Sequence, residues 1–186
     1  QLAVPLDDIE RFRQLDSRCP GHPEYRWTTG VETTTGPLGQ GVATSVGMAI
    51  ASKWMAATFN RPGFPMFGFD VWAMAGDGCL MEGISGEAAS LAGHLKLGNL
   101  CWIYDNTHIT IEGHTDLAFS EDVATRFIGY GWSVTRVGDA NLRSAPVSEN
   151  HWQAVRRHDC ANAVWLEGNG RIGSHGHRIA RMRDHV

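Results

Sequence analysis

The sequence predicts an α/β fold, with a mainly parallel β-sheet and helices on both of its faces. Two apolar runs of strand length, residues 71–75 and 100–104, stand on either side of a helical pattern. A strand–helix–strand unit needs a right-handed crossover, so both strands end at the same edge of one parallel sheet. The chain has 186 residues, of which 42% are hydrophobic and 19% charged, enough for one packed domain.

The other elements are predicted from apolar periodicity. In chain order they are a helix at 6–15, a long helix after 41, a helix at 119–129, a strand at 131–137 and a last strand at 163–167. The first helix is expected to turn Ile9 and Phe12 inward.

Two further expectations concern the long helix and the helix between the strands. In the long helix, Ala43, Gly47 and Ala51 form a stripe of small residues that permits close approach of another helix. The helix between the strands has Ile84, Ala88, Leu91 and Leu95 at helical spacing, and Gly98 is placed to cap its C-terminus.

The composition excludes several classes of partner. The net charge is −4 and no basic run is present, so neither nucleic acid nor an anionic membrane is an expected partner. No apolar stretch has transmembrane length, and the N-terminus lacks a signal-peptide pattern. The four cysteines show no paired metal spacing, which favours free thiols in a reducing compartment and hence a cytoplasmic location.

A short glycine motif, Gly76-Asp77-Gly78, follows the first apolar run. Its glycines let the backbone turn sharply near a ligand, and the N-terminus of the next helix suits a phosphate. A carboxylate beside a diphosphate implies a hard divalent cation such as Mg²⁺, and residues 106–109 return to the same edge to complete its coordination. The alternative is that the motif forms only a turn, because short glycine motifs often match by chance.

Longer motifs resemble a known family. The segments are 20–25 (PGHPEY), 30–41 (GVETTTGPLGQG), 76–85 (GDGCLMEGIS) and 90–98 (SLAGHLKLG), and all four resemble transketolase. The resemblance is strongest over residues 12–139 and irregular over 140–186. It implies the thiamine-diphosphate-binding fold of the N-terminal diphosphate-binding domain. Since the family has a further segment before this one, residues 1–186 are expected to form a single, incomplete domain.

The resemblance also implies a reaction and partners. Transketolase transfers a two-carbon ketol unit from a ketose phosphate to an aldose phosphate in the pentose phosphate pathway, using thiamine diphosphate and Mg²⁺ or Ca²⁺. Its active site lies between this kind of domain and a pyrimidine-binding domain of the other subunit, which carries the glutamate that activates the aminopyrimidine. The expected partners are therefore sugar phosphates and either a homodimer mate or a separate chain with that domain. The isolated chain is expected to be inactive.

Carried over residue by residue, the resemblance assigns catalytic roles to His22 and His175. The alternatives are an exposed loop histidine for His22 and a histidine-rich tail for His175. Glu82 is assigned to the dimer interface, although it can also serve as charge at a helix N-terminus. The residues assigned to cofactor binding are Gly36, Pro37, Leu38, Gly76, Gly78 and Thr107.

The implied metal ligands are Asp77, Thr107 and the carbonyl of Ile109. The family has asparagine where this chain has Thr107, and a threonine hydroxyl is shorter and a poorer ligand than an amide carbonyl. Two alternatives follow from the neighbouring Asn106: either the loop shifts so that Asn106 binds, or the site is weakened.

Two rival functions stand beside transketolase. The first is a non-catalytic fragment or degenerate copy that binds a partner chain, which Thr107 and the irregular tail favour. The second is another thiamine-diphosphate enzyme, such as a dihydroxyacetone synthase or a synthase of 1-deoxyxylulose phosphate. The match around His22 and residues 36–38 favours transketolase over this second rival.

Overall fold

Among the described residues, the sheet has four parallel strands in the order β1-β2-β4-β3. The computed structural model describes residues 4–111, 113–137 and 160–167. The strands are β1 (Val71–Gly76), β2 (Leu100–Asn106), β3 (Ser133–Val137) and β4 (Asn162–Glu167). The predicted α/β class with a parallel sheet is confirmed.

Five helices accompany the sheet in the described part of the chain. They are α1 (Leu6–Glu10), α2 (Gln40–Phe59), α3 (Asp77–Met81), α4 (Gly83–His94) and α5 (Val123–Gly129), with a 3₁₀ turn at Thr115–Leu117. No helix among these residues is long and apolar enough to cross a membrane. Residues 151–158, whose sequence pattern is compatible with a short helix, and the tail after residue 167 lie outside the described residues.

The register of β1 and β2 positions the candidate site. Gly76 is paired with Asp105, so the residues that follow both strands leave the sheet side by side. Asp77 follows β1, and Thr107 follows β2. Thirty residues apart in sequence, they therefore meet at the carboxyl edge of the sheet, where parallel α/β proteins bind their ligands.

The core is centred on Trp102, which is 1% exposed. Its indole ring lies 4.8 Å from the ring of Trp132 and 5.6 Å from that of Phe127. Its indole N–H donates to Ser45 Oγ of α2 at 2.8 Å, so the polar atom is satisfied inside the core. This side chain thus joins β2 to both α2 and α5.

The helix between the two strands is present, but its buried residues are small. Ile84, Leu91 and Leu95 are each more than 40% exposed, whereas the buried positions of α4 are Ser85, Ala89 and Ala92. The reason is a close approach: a Cβ built on Gly93 would lie 1.9 Å from the carbonyl oxygen of Tyr130.

The predicted C-terminal cap of this helix is wrong, and a break in the helical conformation precedes the helix. The helix after the glycine motif is divided, since Glu82 adopts an extended conformation between α3 and α4. At the other end α4 stops at His94, and Lys96 turns the chain with φ 50°, so Gly98 does not cap it. Residues 95–99 then lead to the sheet, where Val71 N–H donates to the Asn99 carbonyl at 2.8 Å.

Two helix faces also differ from expectation. Helix α1 is shorter than predicted and ends at Glu10, because Arg11 already leaves the helical conformation with ψ 19°. Phe12 is exposed, while Ile9 is partly buried. In α2 nothing lies within 4 Å of a Cβ built on Gly47, so no described helix packs on that small-residue stripe. Helix α2 buries a different face, formed by Val42, Ser45, Val46, Ala49 and Ser52.

Candidate metal and diphosphate site

Asp77 is a buried carboxylate held by hydrogen bonds from Thr107 and Tyr104. It follows β1 directly and is 3% exposed. Its Oδ2 accepts from the backbone N–H and the hydroxyl of Thr107, both at 2.9 Å. Its Oδ1 accepts from the hydroxyl of Tyr104 at 2.5 Å. Protein donors thus replace the water that burial removes from the carboxylate.

The three predicted metal ligands lie together. Thr107 Oγ1 is 2.9 Å from Asp77 Oδ2 and 3.4 Å from the carbonyl oxygen of Ile109. Neighbouring ligands of an octahedral Mg²⁺ site are about 2.9 Å apart, since each oxygen is at about 2.0–2.1 Å from the ion. The described residues hold no group of three or more His, Cys, Asp or Glu side chains placed for a metal. This mixed set of oxygens fits a hard cation in its chemistry; the Asp77–Thr107 spacing also fits, whereas the Thr107–Ile109 spacing is wider than Mg²⁺ prefers.

The loop after β2 brings the Ile109 carbonyl back toward Asp77. His108 has a left-handed conformation with φ 59°, which is uncommon for a residue other than glycine. An antiparallel bridge pairs Ile109 with His114, and Thr115 N–H donates to the His108 carbonyl at 3.2 Å. The Ile109 carbonyl therefore lies in a loop that these hydrogen bonds hold together.

Asn106 does not take the position of Thr107. Its side chain is buried, with Oδ1 3.1 Å from the Tyr104 hydroxyl and Nδ2 3.3 Å from Nε2 of His108. It reaches Asp77 through Tyr104, whereas Thr107 touches Asp77 directly. Adjacent residues at a strand end point to opposite sides, which explains the difference.

Tyr104 belongs to this site although the sequence did not single it out. Burial raises the pKa of its phenol, and the hydrogen bond to Asp77 raises that pKa further, so the hydroxyl stays a proton donor at neutral pH. The available signal was the alternation of β2, which places Trp102, Tyr104 and Asn106 on one face. The polar side chains of Tyr104 and Asn106 on a buried strand face indicate that each has a specific hydrogen-bonding partner inside the fold.

The predicted cofactor loop lies against this site and against His22. A Cβ built on Gly36 would lie 3.4 Å from Cγ and Nδ1 of the His22 ring. A Cβ built on Gly78 would lie 3.3 Å from Cδ1 of Leu38, whose side chain is half exposed. The two loops are joined by a hydrogen bond from Thr35 N–H to the Pro23 carbonyl at 3.2 Å. Gly36 is thus a close neighbour of His22, and Gly78 is a close neighbour of Leu38.

Gly39 locks the cofactor loop to the start of α4. Its φ is 80°, and an added Cβ would lie 2.9 Å from Ile84 Cγ2 and from Ser85 Oγ. Ser85 is buried and its hydroxyl donates to the Cys79 carbonyl at 2.5 Å, which ties α4 to α3. Sequence reasoning missed both residues, because their roles depend on contacts between distant segments.

The remaining predicted residues are described by their exposure and their position in the fold. Pro37 and Glu82 are exposed, and Glu82 stands at the start of α4. Gly76 is partly buried at the end of β1. His175 lies outside the described residues.

A pocket of about 360 Å³ opens beside Asp77. Tyr104, Asn106 and His108 line it together with Asp77, and this volume is in the range of small-ligand sites. The other lining residues are Thr115, Asp116, Phe119, Ser120, Glu121, Asp122 and Arg136.

Comparison with known proteins decides the family. The family model for the thiamine diphosphate binding domain of transketolase matches residues 2–145. The chain belongs to the transketolase family. The *Geobacillus stearothermophilus* transketolase is 56% identical over 138 residues, which are 74% of this chain and 21% of that protein. Transketolase 1 of *Saccharomyces cerevisiae* is 54% identical over 177 residues, 92% of this chain and 26% of that protein.

Solved structures of the family agree with this fold. A *Pichia stipitis* transketolase, in complex with sedoheptulose 7-phosphate, superposes with a TM-score of 0.80 at 44% identity. The match covers 89% of this chain and 24% of that one. The predicted resemblance is confirmed, and thiamine diphosphate is supported as the cofactor. The chain spans about a fifth to a quarter of the length of the transketolases it matches.

Proposed function

We propose that this chain supplies the diphosphate- and metal-binding half of a transketolase, which moves a two-carbon ketol unit from a ketose phosphate to an aldose phosphate. The observation that carries the proposal is the meeting of Asp77 Oδ2, Thr107 Oγ1 and the Ile109 carbonyl beside Gly78. The *Pichia stipitis* relative in complex with sedoheptulose 7-phosphate, a ketose phosphate, supports the substrate class.

In this proposal each residue has a stated task. Asp77 supplies negative charge to Mg²⁺ or Ca²⁺, while Thr107 and Ile109 supply neutral oxygens. Leu38 offers an apolar contact to the cofactor, and the missing side chain at Gly78 lets Leu38 pack close to the glycine motif. When bound, thiamine diphosphate supplies the electron sink for breaking the substrate's carbon–carbon bond.

His22 is the proposed substrate-facing group of the described region. Its imidazole rests on Gly36, which lies in the loop next to Leu38, and the ring can donate and accept hydrogen bonds. His175 remains the second proposed catalytic histidine.

The proposed partner carries the pyrimidine-binding domain, either in a homodimer or as a separate chain. The match to the thiamine diphosphate binding domain of transketolase supports this, since the family's active site lies between such a domain and a pyrimidine-binding domain of the other subunit. Glu82, exposed at the start of α4, is the residue proposed to face that partner.

The test is a calorimetric titration of the chain with thiamine diphosphate in Mg²⁺, repeated with a chelator, with thiamine as the control ligand. We expect thiamine diphosphate to bind only when Mg²⁺ is present, and thiamine not to bind. Equal binding with and without chelator would contradict the metal–diphosphate role.

A non-catalytic fragment that binds a partner chain is the second candidate. The observation in its favour is that protein donors from Tyr104 and Thr107 already satisfy both oxygens of Asp77. A buried carboxylate so satisfied is stable without a cation. Absence of any metal-dependent binding in the same titration would favour this candidate.

A further inference from the structure

We propose that Tyr104 is a positioning residue for Asp77, whose hydroxyl holds the carboxylate so that Oδ2 faces Thr107 and Ile109. This inference rests on the proposed function, because it concerns the same cation site. Tyr104 would not touch the cation, the cofactor or the substrate. It would act through the orientation of Asp77.

The argument begins with the two oxygens of Asp77. Tyr104 donates to Oδ1 at 2.5 Å, and Thr107 donates to Oδ2 at 2.9 Å from both its N–H and its hydroxyl. Donors on different oxygens fix the plane of the carboxylate. Loss of the hydrogen bond from Tyr104 would weaken the hold on Oδ1 and let the carboxylate turn about its Cβ–Cγ bond, which would displace Oδ2 from its place beside Thr107.

The tyrosine itself is held in place by the sheet. It lies on β2, 4% exposed, in register with Ala75 of β1, two residues before Asp77. Its single hydroxyl proton can serve one acceptor at a time. Asp77 Oδ1 lies 2.5 Å from the tyrosine hydroxyl and carries charge, whereas Asn106 Oδ1 lies at 3.1 Å. The hydroxyl therefore donates its hydrogen bond to Asp77.

The two candidate cations differ in what they demand of the carboxylate. Mg²⁺ requires near-octahedral geometry at about 2.0–2.1 Å, whereas Ca²⁺ accepts flexible geometry at about 2.3–2.6 Å. A misplaced Oδ2 should therefore weaken binding with Mg²⁺ more than binding with Ca²⁺. A general loss of stability would affect both cations alike.

The experiment measures the Kd of thiamine diphosphate for the whole chain, in saturating Mg²⁺ and in saturating Ca²⁺. The variant Tyr104→Phe removes only the hydroxyl, and Tyr130→Phe is the matched control, because its hydroxyl lies near Gly86 on another part of the surface. We expect Tyr104→Phe to raise the Kd about tenfold in Mg²⁺. In Ca²⁺ we expect a rise below about threefold, and Tyr130→Phe should change neither.

A second measurement does not depend on the variant Tyr104→Phe. The chain has three tyrosines, Tyr25, Tyr104 and Tyr130, so 3-fluorotyrosine labelling yields three fluorine resonances. Variants Tyr25→Phe and Tyr130→Phe assign the Tyr104 resonance by elimination. Addition of Mg²⁺ and thiamine diphosphate should shift that resonance.

The outcomes separate this inference from the proposed function. If the wild-type chain binds thiamine diphosphate with neither cation, the proposed function fails and the positioning role fails with it. If the wild type binds, an equal effect of Tyr104→Phe in both cations, or no effect, overturns the positioning role alone. An unmoved Tyr104 resonance during proven binding overturns it as well.

Discussion

At the scale of single residues, Asp77 is the side chain on which the candidate site depends. It is a buried carboxylate whose two oxygens have separate protein donors, Tyr104 and Thr107. A buried charge without partners would be strongly unfavourable, so these donors explain how the motif can place an aspartate inside the fold.

We expect Asp77→Ala to remove the metal-dependent part of thiamine diphosphate binding. Asp77 is the one carboxylate among the predicted ligands, and a diphosphate needs the charge of the cation beside it. Asp116→Ala is the matched control, since Asp116 is exposed and lines the same pocket. Calorimetry with and without chelator measures the effect. Unchanged affinity in Asp77→Ala would show that the glycine motif is only a turn.

Thr107→Asn should tighten thiamine diphosphate binding in Mg²⁺ by about tenfold, or about 1.4 kcal/mol. The hydroxyl of Thr107 is 3.4 Å from the Ile109 carbonyl, wider than the about 2.9 Å expected between octahedral neighbours, and a longer amide can close that gap. Thr107→Val, of similar shape but without the hydroxyl, should weaken binding.

The competing assignment makes Asn106 the ligand. Under it, Asn106→Ala weakens binding and Thr107→Asn changes nothing, so calorimetry on both variants decides between the two residues.

At the scale of elements, α4 depends on small residues where it meets the segment after α5. Ala89 accepts a hydrogen bond from the Trp132 indole at 2.8 Å, and Gly93 lies under the Tyr130 carbonyl. At Gly93 the two segments pack so closely that there is no room for even a methyl group.

We expect Gly93→Ala to lower the free energy of unfolding by about 2 kcal/mol or more, because its Cβ would overlap a backbone oxygen that cannot swing aside. Gly47→Ala is the control, since nothing lies within 4 Å of its Cβ and alanine favours a helix by up to about 1 kcal/mol. Urea unfolding of both variants gives the comparison. Equal stability of the two would contradict the close contact at Gly93.

At the scale of the whole molecule, the chain carries the predicted cofactor residues but spans about a quarter of the length of a transketolase such as that of *Saccharomyces cerevisiae*. On the other face of the sheet from the Trp102 core, Trp72 is 46% and Met74 72% exposed. Both residues belong to β1, the edge strand that leads into Asp77.

We predict that the purified chain alone has no ketol-transfer activity in a coupled assay with thiamine diphosphate and Mg²⁺. The reason is the family's active site, to which a pyrimidine-binding domain contributes. Turnover that survives removal of host transketolase, and that is lost in Asp77→Ala, would show that the chain is active by itself.

Much of the fold and of the candidate site could be predicted from the sequence. The parallel strands and the helix between them follow from local periodicity, which each segment contains by itself. The long motifs around His22, Gly36 and Asp77 predicted the family, which the comparisons confirm. The roles of these residues in binding and catalysis remain predictions.

What the sequence alone determined is which segments become strands and helices, and which family the chain resembles. Only the tertiary structure decided that Thr107 rather than Asn106 contacts Asp77, that Tyr104 holds its other oxygen, and that α4 buries alanines instead of Leu91. The physical reason is the distance along the chain over which each feature is set: hydrophobic periodicity depends on residues that are neighbours in sequence. Contacts between residues thirty positions apart depend on strand register and on the distance at which elements pack.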